Sequence, residues 1–482
     1  MTAAKIFSNL LWINTVLAIV IIVMERRNTR STWLWIMIMV LLPGAGFFLY
    51  LWLGRDFNKR KMFESKGIKD LGTNKGHLDA NEDFLLSYNA AMAERNYLGR
   101  YESLFQMLYL NSQSKLTFNN EIQTVFEGEE LFDQLFEDIR NAKEYIYIQT
   151  YIMRADKIGQ ELVDLLIERA QDGLDVKLLA DGMGARTFWK RHVKRARAGG
   201  VQVEFFFPFF ISFISPRINY RNHRKNYVID GKIGYVGGYN IGDEYITGGR
   251  KFDGWRDSAI RVMGDAVQKF QYRFELDFSF AAGKEVQYKK PIRDAEGSGK
   301  IPMQIVSAGP DSIWPSVKDG MLKMISLAEK TIYIETPYFI PDDSVLEGLR
   351  VASLSGVDIR VMLPYKGDHP FIYWANLSYV GDLLKAGVKF YFYEKGFQHS
   401  KVMIIDDEIL TVGTSNMDER SFHLNFEINA FVYDKETALK FSNKFLTDIE
   451  KNSSEITKEI YDKRSKFVKV KENFSRLLSP LL

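Results

Sequence analysis

The sequence predicts an α/β fold built from two similar halves, each with its own sheet. In both halves apolar, β-branched runs typical of buried strands alternate with helical runs. The order of these runs also repeats, because residues 146–150 are echoed by residues 332–336, and residues 173–179 by residues 356–362. We expect the first half to span residues 118–290 and the second half residues 301–482, with a charged, glycine-containing linker between them.

A doubled polar motif lies inside this repeat. In each copy a lysine follows a histidine by two residues, an aspartate by seven and an asparagine by seventeen, and an acid comes later. The two copies are His223, Lys225, Asp230, Asn240 and Asp257, and His399, Lys401, Asp406, Asn416 and Glu427. A single constellation of this kind can arise by chance and a lone histidine is more often a core residue, but two copies with matching spacing predict a functional site.

The residues after each lysine are typical of a strand, and this pattern predicts where the side chains point. Side chains on a strand alternate between its faces, so the histidine and lysine share one face, and the aspartate points to the other. We therefore expect the histidines and lysines to carry the chemistry, while Asp230 and Asp406 complete the catalytic motif by holding its structure. The glycine-rich turn before each asparagine lets the backbone approach an anion.

An imidazole, a fixed cation and a neutral amide in each half together suit a phosphoryl group. An imidazole titrates near pH ~6.5, so one histidine can attack phosphorus while the other protonates the leaving alkoxide. The second histidine would then deprotonate an incoming hydroxyl. We expect Lys225, Lys401, Asn240 and Asn416 to bind the phosphate. Asp257 and Glu427 would fix the imidazole tautomers, as a carboxylate does in a Ser-His-Asp triad.

The paired His-x-Lys-x4-Asp motifs resemble those of the phospholipase D superfamily, and more narrowly of its bacterial cardiolipin synthases. The narrower resemblance rests on residues 237–245, 255–257, 335–341, 415–422, 425–427 and 478–482. It implies two halves, each a mixed sheet flanked by helices, that face each other across one active site. It also implies a phosphohistidine-type intermediate without a metal or cofactor, with His223 as nucleophile and His399 as acid. The near-equivalence of the motifs leaves that order open.

Two apolar runs at the N terminus, residues 6–24 and 32–53, predict a transmembrane helical hairpin over residues 1–56. Each run has about the ~20 residues that a spanning helix requires, although a buried or re-entrant hairpin is the alternative. More Lys and Arg side chains flank the runs than occupy the turn between them. The positive-inside rule therefore favours a catalytic domain on the cytoplasmic side of the cell membrane. Residues 57–117 are expected to form a helical connector.

Composition and the remaining patterns restrict the partners. The net charge of +3 is too small to indicate a nucleic-acid-binding surface. The absence of cysteine excludes disulfides and thiolate metal sites. The aromatic stretch 205–216 is expected to begin as buried strand and to continue as a loop, either at a lipid interface or on the core. The tail places apolar side chains on one helical stripe among basic residues, a pattern that either lies on lipid or docks on the core. The stripe contains Phe467, Val470, Phe474, Leu477 and Leu481.

The resemblance and the predicted hairpin together imply a cardiolipin synthase in a bacterial cell membrane. It would transfer a phosphatidyl group from one phosphatidylglycerol to another, giving cardiolipin and glycerol. The alternatives are a membrane-bound phospholipase D that uses water, a phosphatidyltransferase with another acceptor, and a nuclease of the superfamily. A lipid-binding scaffold without activity is the alternative outside enzymes, and the two complete motifs argue against it. The sequence predicts no oligomeric state.

Overall fold

The computed structural model describes residues 11–16, 18–20, 29–42, 45–50, 92–93, 95–188, 191–208, 219–284 and 299–477. At the N terminus residues 11–16 and 18–20 are helical, followed by α1 (Thr29–Leu41) and α2 (Ala45–Leu49). Residues 43 and 44, between these two helices, lie outside the described residues. None of the described helices is long and apolar enough to cross a membrane. The predicted hairpin is therefore not seen, and most of its first run lies outside the described residues.

The described part of the predicted connector packs on the second half of the chain. A 3₁₀ helix over Asn96–Tyr101 leads into α3 (Glu102–Ser112). Leu98, Leu104 and Leu108 are buried in the same hydrophobic cluster as side chains of the second sheet. This segment is thus part of a folded domain rather than a free tether.

The first half is a sheet with helices along it. Its strands are β1 (Asn120–Val125), β2 (Tyr145–Thr150), β3 (Asp175–Asp181), β4 (Gln202–Phe206), β5 (Arg221–Asn222), β6 (Asn226–Ile229), β7 (Ile233–Gly237), β8 (Trp255–Arg256) and β9 (Ala259–Gly264). Its helices are α4 (Gly128–Asn141), α5 (Lys157–Gln171), α6 (Arg191–Ala198), α7 (Glu244–Thr247) and α8 (Val267–Ala282).

The second half repeats this plan. Its strands are β10 (Met303–Ala308), β11 (Thr331–Glu335), β12 (Phe339–Ile340), β13 (Asp358–Pro364), β14 (Lys389–Tyr393), β15 (Phe397–Gln398), β16 (Val402–Ile405), β17 (Ile409–Gly413), β18 (Met417–Asp418), β19 (Asn425–Val432) and β20 (Ser453–Glu455). Its helices are α9 (Ser316–Leu327), α10 (Asp343–Leu354), α11 (Pro370–Leu384), α12 (Glu419–His423), α13 (Lys435–Asn452), α14 (Lys458–Asp462) and α15 (Lys466–Leu477).

The strand order is the same in the two sheets, which confirms the repeat. The first sheet runs β1-β9-β7-β6-β2-β3-β4, and the second runs β10-β19-β17-β16-β11-β13-β14 before β20 extends its edge. In each sheet three parallel strands adjoin four antiparallel ones, so both sheets are mixed as predicted. The equivalent helices α5 and α10 are each preceded by an aspartate, Asp156 or Asp342, that caps the helix. Its carboxylate accepts a hydrogen bond from the backbone N–H of the residue three positions later.

The two sheets share a hydrophobic core, which fixes one half against the other. Buried side chains of α8 and α13, including Phe274 and Phe445, lie in one cluster with Val236 of the first sheet and Val412 of the second. Fully burying one such side chain contributes roughly 1.5–3 kcal/mol, so this cluster alone holds the halves firmly. The strand of the aromatic stretch is also confirmed, because Phe205 and Phe206 lie in β4 and are buried. The rest of that stretch, from residue 209, and most of the expected linker lie outside the described residues.

Candidate active site

Short strands that cross between the halves bring the two motifs together. β5 pairs in parallel with the start of β19, and β15 pairs in parallel with β8. The pairing continues into the histidines, since the backbone N–H of His223 donates to the Phe426 carbonyl at 2.9 Å and that of His399 donates to the Arg256 carbonyl at 2.7 Å. This register places His223 opposite Glu427, within β19, and His399 opposite Asp257, directly after β8, so each histidine faces an acid.

Each histidine is therefore paired with the carboxylate of the other half. Nδ1 of His223 lies 3.0 Å from both carboxylate oxygens of Glu427, and Nδ1 of His399 lies 2.6 Å from Oδ2 of Asp257. Both carboxylates are fully buried and fixed by further donors, among them the Thr414 hydroxyl for Glu427. With Nδ1 committed, Nε2 is the ring atom left for a substrate. The sequence predicted the acids and their role but not this exchange between the halves.

Gly238 makes room for one of these carboxylates. A Cβ atom at this position would lie only 2.0 Å from Oδ1 of Asp257. The equivalent residue of the second half is Thr414, whose hydroxyl bonds to Glu427 instead. The two motifs thus reach the same histidine–carboxylate pairing with different supports.

Burial sets the charge state of these pairs. It lowers the pKa of His223 to about 4 and that of His399 to about 3, against the opposing effect of the paired carboxylates. Burial alone would raise the pKa of Asp257 and Glu427, but the neighbouring histidines and lysines lower both overall. Near neutral pH each of the two pairs therefore consists of an ionised carboxylate and a neutral imidazole, which can present a lone pair on Nε2.

The motif lysines lie beneath the histidines. Nζ of Lys225 donates to the backbone carbonyl of His223 at 2.8 Å, and Nζ of Lys401 donates to that of His399. Each ammonium group has three donors, of which this bond uses one. Both side chains are 1% exposed, and burial lowers the pKa of Lys225 to about 7 and that of Lys401 to about 8.

The motif aspartates point away from the cleft, as the alternation of the strand predicts. Asp230 accepts hydrogen bonds from the backbone N–H groups of residues 143–145, and Asp406 accepts them from residues 329–331. Arg100 of the 3₁₀ helix also pairs with Asp406 at 2.5 Å. Both aspartates have positive φ, at 52° and 55°, in the turn after the motif strand. They anchor that turn to the neighbouring strand and do not reach the imidazoles.

One cleft of about 810 Å³ is lined by both histidines and by the motif amides Asn240 and Asn416. Oδ1 of Asn240 accepts a hydrogen bond from the backbone N–H of Ile152 at 3.0 Å, and the same side chain also bonds to Tyr245, so the amide is held in place at the cleft wall. The structure thus brings together the histidines and amides predicted from the sequence, with the lysines buried directly behind them.

The two ends of the cleft differ, and the sequence analysis missed this asymmetry. Near His223 the ring of Tyr151 lies 5.1 Å from the imidazole, and Arg221 lies two residues earlier on the same strand. Near His399 two aromatic rings replace polar side chains: Phe397, the counterpart of Arg221, at 5.9 Å, and Trp255, the counterpart of Asn425, at 4.9 Å. Further cations line the cleft: Arg154, Arg250, Lys251 and Arg420. Strand alternation back from His223 would have found Arg221, and Arg420 lies in α12 within the stretch 415–422, whereas Arg154, Arg250 and Lys251 come from loops with no motif.

Two buried arginines join the halves behind the site. The guanidinium of Arg224 pairs with Asp277 at 2.6 Å and donates to the backbone carbonyl of Glu427 in the other half. Arg256 pairs with Glu335 at 2.9 Å and with Asp448 at 2.8 Å, both in the second half. Removing one partner of such a pair leaves a buried charge, so these contacts hold the histidine–carboxylate register in place.

Comparison with known proteins identifies families and a solved structure that are similar to this chain. The family described as "Cardiolipin synthase, PLD-like domain" matches residues 135–275 and 321–449, together more than half of the chain. The family "Phospholipase_D-nuclease N-terminal" matches residues 13–55. The solved structure of phosphatidylserine synthase from Haemophilus influenzae shares the fold, with a TM-score of 0.58 at 16% identity over 80% of this chain and 100% of that chain.

Curated relatives match over nearly the whole length. Cardiolipin synthase of Staphylococcus aureus is 45% identical over 99% of this chain and 97% of the relative, and that of Oceanobacillus iheyensis is 44% identical over 98% and 97%. These relatives extend the likeness well beyond the two motifs. With both motifs intact and facing one cleft, the chain belongs to the cardiolipin synthase family of the phospholipase D superfamily.

Proposed function

We propose that this protein is a phosphatidyltransferase that joins two phosphatidylglycerol molecules into cardiolipin and releases glycerol. The observation that carries the proposal is the pair of histidines in one cleft, each with Nδ1 held by the other half and Nε2 left for substrate. Two imidazoles are what a double displacement at phosphorus needs, one as nucleophile and one as proton carrier. The names of the near-full-length relatives support the lipid substrates.

In the first step Nε2 of His223 attacks the phosphorus of a phosphatidylglycerol. A P–N bond forms, the P–O bond to the glycerol headgroup breaks, and His399 gives its proton to the departing alkoxide. Lys225, Lys401 and the two motif amides stabilise the phosphoryl oxygens. Burial and, after it, the neighbouring lysines lower the pKa of His399, so we expect a bound phosphate anion to raise that pKa and let this imidazole hold a proton.

In the second step a hydroxyl of another phosphatidylglycerol replaces the histidine. His399 takes the hydroxyl proton, the oxygen attacks phosphorus, the P–N bond breaks, and cardiolipin leaves. For a lipid rather than water to act as acceptor, the site must exclude water and hold the lipid hydroxyl at a high effective concentration. Both conditions favour a site at the bilayer. We propose that the N-terminal apolar runs hold the chain in a bacterial cell membrane as a hairpin, with the catalytic halves on the cytoplasmic side. The match of residues 13–55 to an N-terminal family model supports this anchor.

The products of the purified full-length protein in phosphatidylglycerol vesicles test the function. With glycerol-labelled substrate we expect cardiolipin and free glycerol in equal amounts. The His223→Ala variant, purified in parallel, controls for copurifying enzymes and should give neither product. Phosphatidic acid in place of cardiolipin would make water the acceptor and contradict the proposal, as would cardiolipin formation that persists in the variant.

The pH dependence of kcat/KM for phosphatidylglycerol is expected to show an alkaline fall. Because burial lowers the pKa of Lys225 to about 7 and that of Lys401 to about 8, the free enzyme loses its phosphate-binding cations as the pH rises through this range. The measurement is an initial-rate series on vesicles from pH 5.5 to 9.5. In Lys225→Arg the guanidinium stays charged, so its residual activity should fall at higher pH. A flat wild-type profile between pH 6 and 9 would contradict this role for the lysines.

A further inference from the structure

The C-terminal helix α15 (Lys466–Leu477) is docked with its apolar stripe turned outward. Phe467, Val470 and Phe474 are 68%, 63% and 55% exposed, whereas Glu472 and Ser475 on the opposite side are buried. A surface helix normally buries its apolar stripe and exposes its polar side. The sequence left open whether this helix docks on the core or lies on lipid, and its inverted orientation allows both at once.

Polar contacts hold the inner side of α15 to helix α11 (Pro370–Leu384). The guanidinium of Arg476 lies over the ring of Tyr379 at 4.4 Å and pairs with Asp382 at 3.3 Å. At the margin between this side and the stripe, Nζ of the exposed Lys471 lies 5.2 Å from the ring centre of Trp374 and 4.6 Å from that of Phe467. Within the tail the buried Glu472 pairs with Arg464 at 2.7 Å. The orientation is therefore fixed by several independent contacts, and the exposed stripe is a built feature of the fold.

The stripe lies next to the mouth of the active-site cleft. Successive contacts run in the same direction along the two helices, so the start of α15 adjoins the start of α11. There Phe371, 48% exposed, and Ile372 line the cleft. Phe371 is about one helical turn, ~5 Å, from Trp374, which touches α15. The exposed apolar side chains of α15 and those of α11 that line the cleft are thus only about one helical turn apart along α11.

Lysines flank the stripe and select the partner. Lys463, Lys466, Lys469 and Lys471 are all exposed around it, while the one glutamate of the helix is buried. An exposed apolar stripe between rows of lysines matches a bilayer surface with anionic headgroups, where the lysines meet phosphate and the apolar side chains enter the acyl boundary. We propose that α15 is an interfacial helix that seats the cleft mouth on an anionic bilayer, as a membrane contact separate from the N-terminal runs.

A single fluorescent label tests this seating without any catalytic turnover. The chain has no cysteine, so Phe474→Cys gives one reactive thiol on the stripe, and Asn473→Cys gives a matched exposed site about 100° around the same helix. With the full-length protein in phosphatidylglycerol vesicles, we expect spin-labelled lipid to quench the label at 474 strongly and aqueous iodide to quench it weakly. The label at 473 should show the reverse, and phosphatidylcholine vesicles should increase the iodide quenching at 474.

The other outcomes overturn the proposal. Strong iodide quenching at 474 in phosphatidylglycerol vesicles would show that the stripe stays in water. Protection from both quenchers would show that protein covers it, either a second copy of the chain or another of its segments. Equal quenching in the two kinds of vesicle would remove the anionic preference. Because the labels report position alone, a failure of the proposed transferase reaction would leave these results interpretable.

An activity comparison adds an independent readout, and this arm rests on the proposed function. In Phe467→Ser/Val470→Ser/Phe474→Ser the transfer rate on vesicles should fall roughly tenfold, a factor equal to about 1.4 kcal/mol and less than burial of one phenylalanine contributes. The apolar control Phe467→Leu/Val470→Ile/Phe474→Leu should keep its rate. In detergent mixed micelles, where no bilayer has to be engaged, the serine variant should match wild type. Equal loss in micelles and vesicles would indicate damage to the fold and would contradict the interfacial role.

Discussion

The His223→Asn variant is expected to lose cardiolipin formation by at least about 10⁵-fold, the scale on which enzymes suffer when a covalent nucleophile is removed. His399→Asn should lose roughly 10²–10⁴-fold for each step it assists, because it moves protons but forms no bond to phosphorus. Asparagine keeps a donor that can bond to the paired carboxylate, so the contact between the halves is retained. The proposed roles of nucleophile and acid therefore predict that the two variants are defective in different steps of the reaction.

A phosphatidyl ester of p-nitrophenol, used as substrate, distinguishes the two defects. p-Nitrophenolate leaves without protonation, so His399→Asn should release a burst of it, one per active site, and retain a phosphatidyl-enzyme stable to alkali and labile to acid. His223→Asn should release none. Phosphate-labelled substrate and denaturing gels measure the adduct, and unchanged thermal unfolding of both variants controls for folding. A burst in His223→Asn with none in His399→Asn would reverse the two roles, and a burst in neither would rule out the covalent route.

Asp257→Asn is expected to behave like His399→Asn, although Asp257 belongs to the same sequence copy as His223. Its carboxylate contacts Nδ1 of His399 at 2.6 Å, so its loss frees the tautomer and orientation of that imidazole. We expect a fall of about 10²–10⁴-fold with phosphatidylglycerol and recovery of the burst with the p-nitrophenyl ester. Glu427→Gln should show a similar fall but no recovery, because its partner is the nucleophile His223.

The same two esters check this prediction. The ratio of burst amplitude to steady-state rate should group Asp257→Asn with His399→Asn, and Glu427→Gln with His223→Asn. If each acid instead oriented the histidine of its own sequence copy, Asp257→Asn would group with His223→Asn, and Glu427→Gln with His399→Asn, which would contradict the prediction. A double variant, Asp257→Asn/His399→Asn, should be little worse than His399→Asn alone, since both substitutions remove one function.

Much of this site follows from local sequence patterns, and the remainder depends on the contact between the halves. Strand alternation places His223 and Lys225 together and turns Asp230 away, because the period of a strand is fixed by its backbone. The partner of each acid is not fixed in this way. Asp257 has no local reason to face His399, which lies 142 residues away, until β8 and β15 pair and set the register.

The tail and the N terminus mark the limits of sequence reading in different ways. The spacing of Phe467, Val470 and Phe474 predicts an amphipathic helix, but only the contacts of Lys471 and Arg476 determine which side faces the protein. The apolar runs over residues 6–24 and 32–53 suggested a hairpin from their length alone. The structure describes parts of both runs, including α1 and α2 in the second, and residues 43 and 44 between those helices lie outside the described residues, so the hairpin stays a prediction.

The exchange of carboxylates between the halves has an evolutionary consequence. The paired contacts, β5 with β19 and β15 with β8, are equivalent, because each joins the residues before a histidine of one half to the residues before an acid of the other. A shorter ancestral chain with one motif would have had a histidine without its acid, and would have become complete only on meeting its twin. Duplication and fusion of such a gene preserve both contacts in one polypeptide. The two copies can then change in sequence independently. Arg221 on one side and Phe397 on the other are the kind of divergence that a symmetric pair of chains could never acquire.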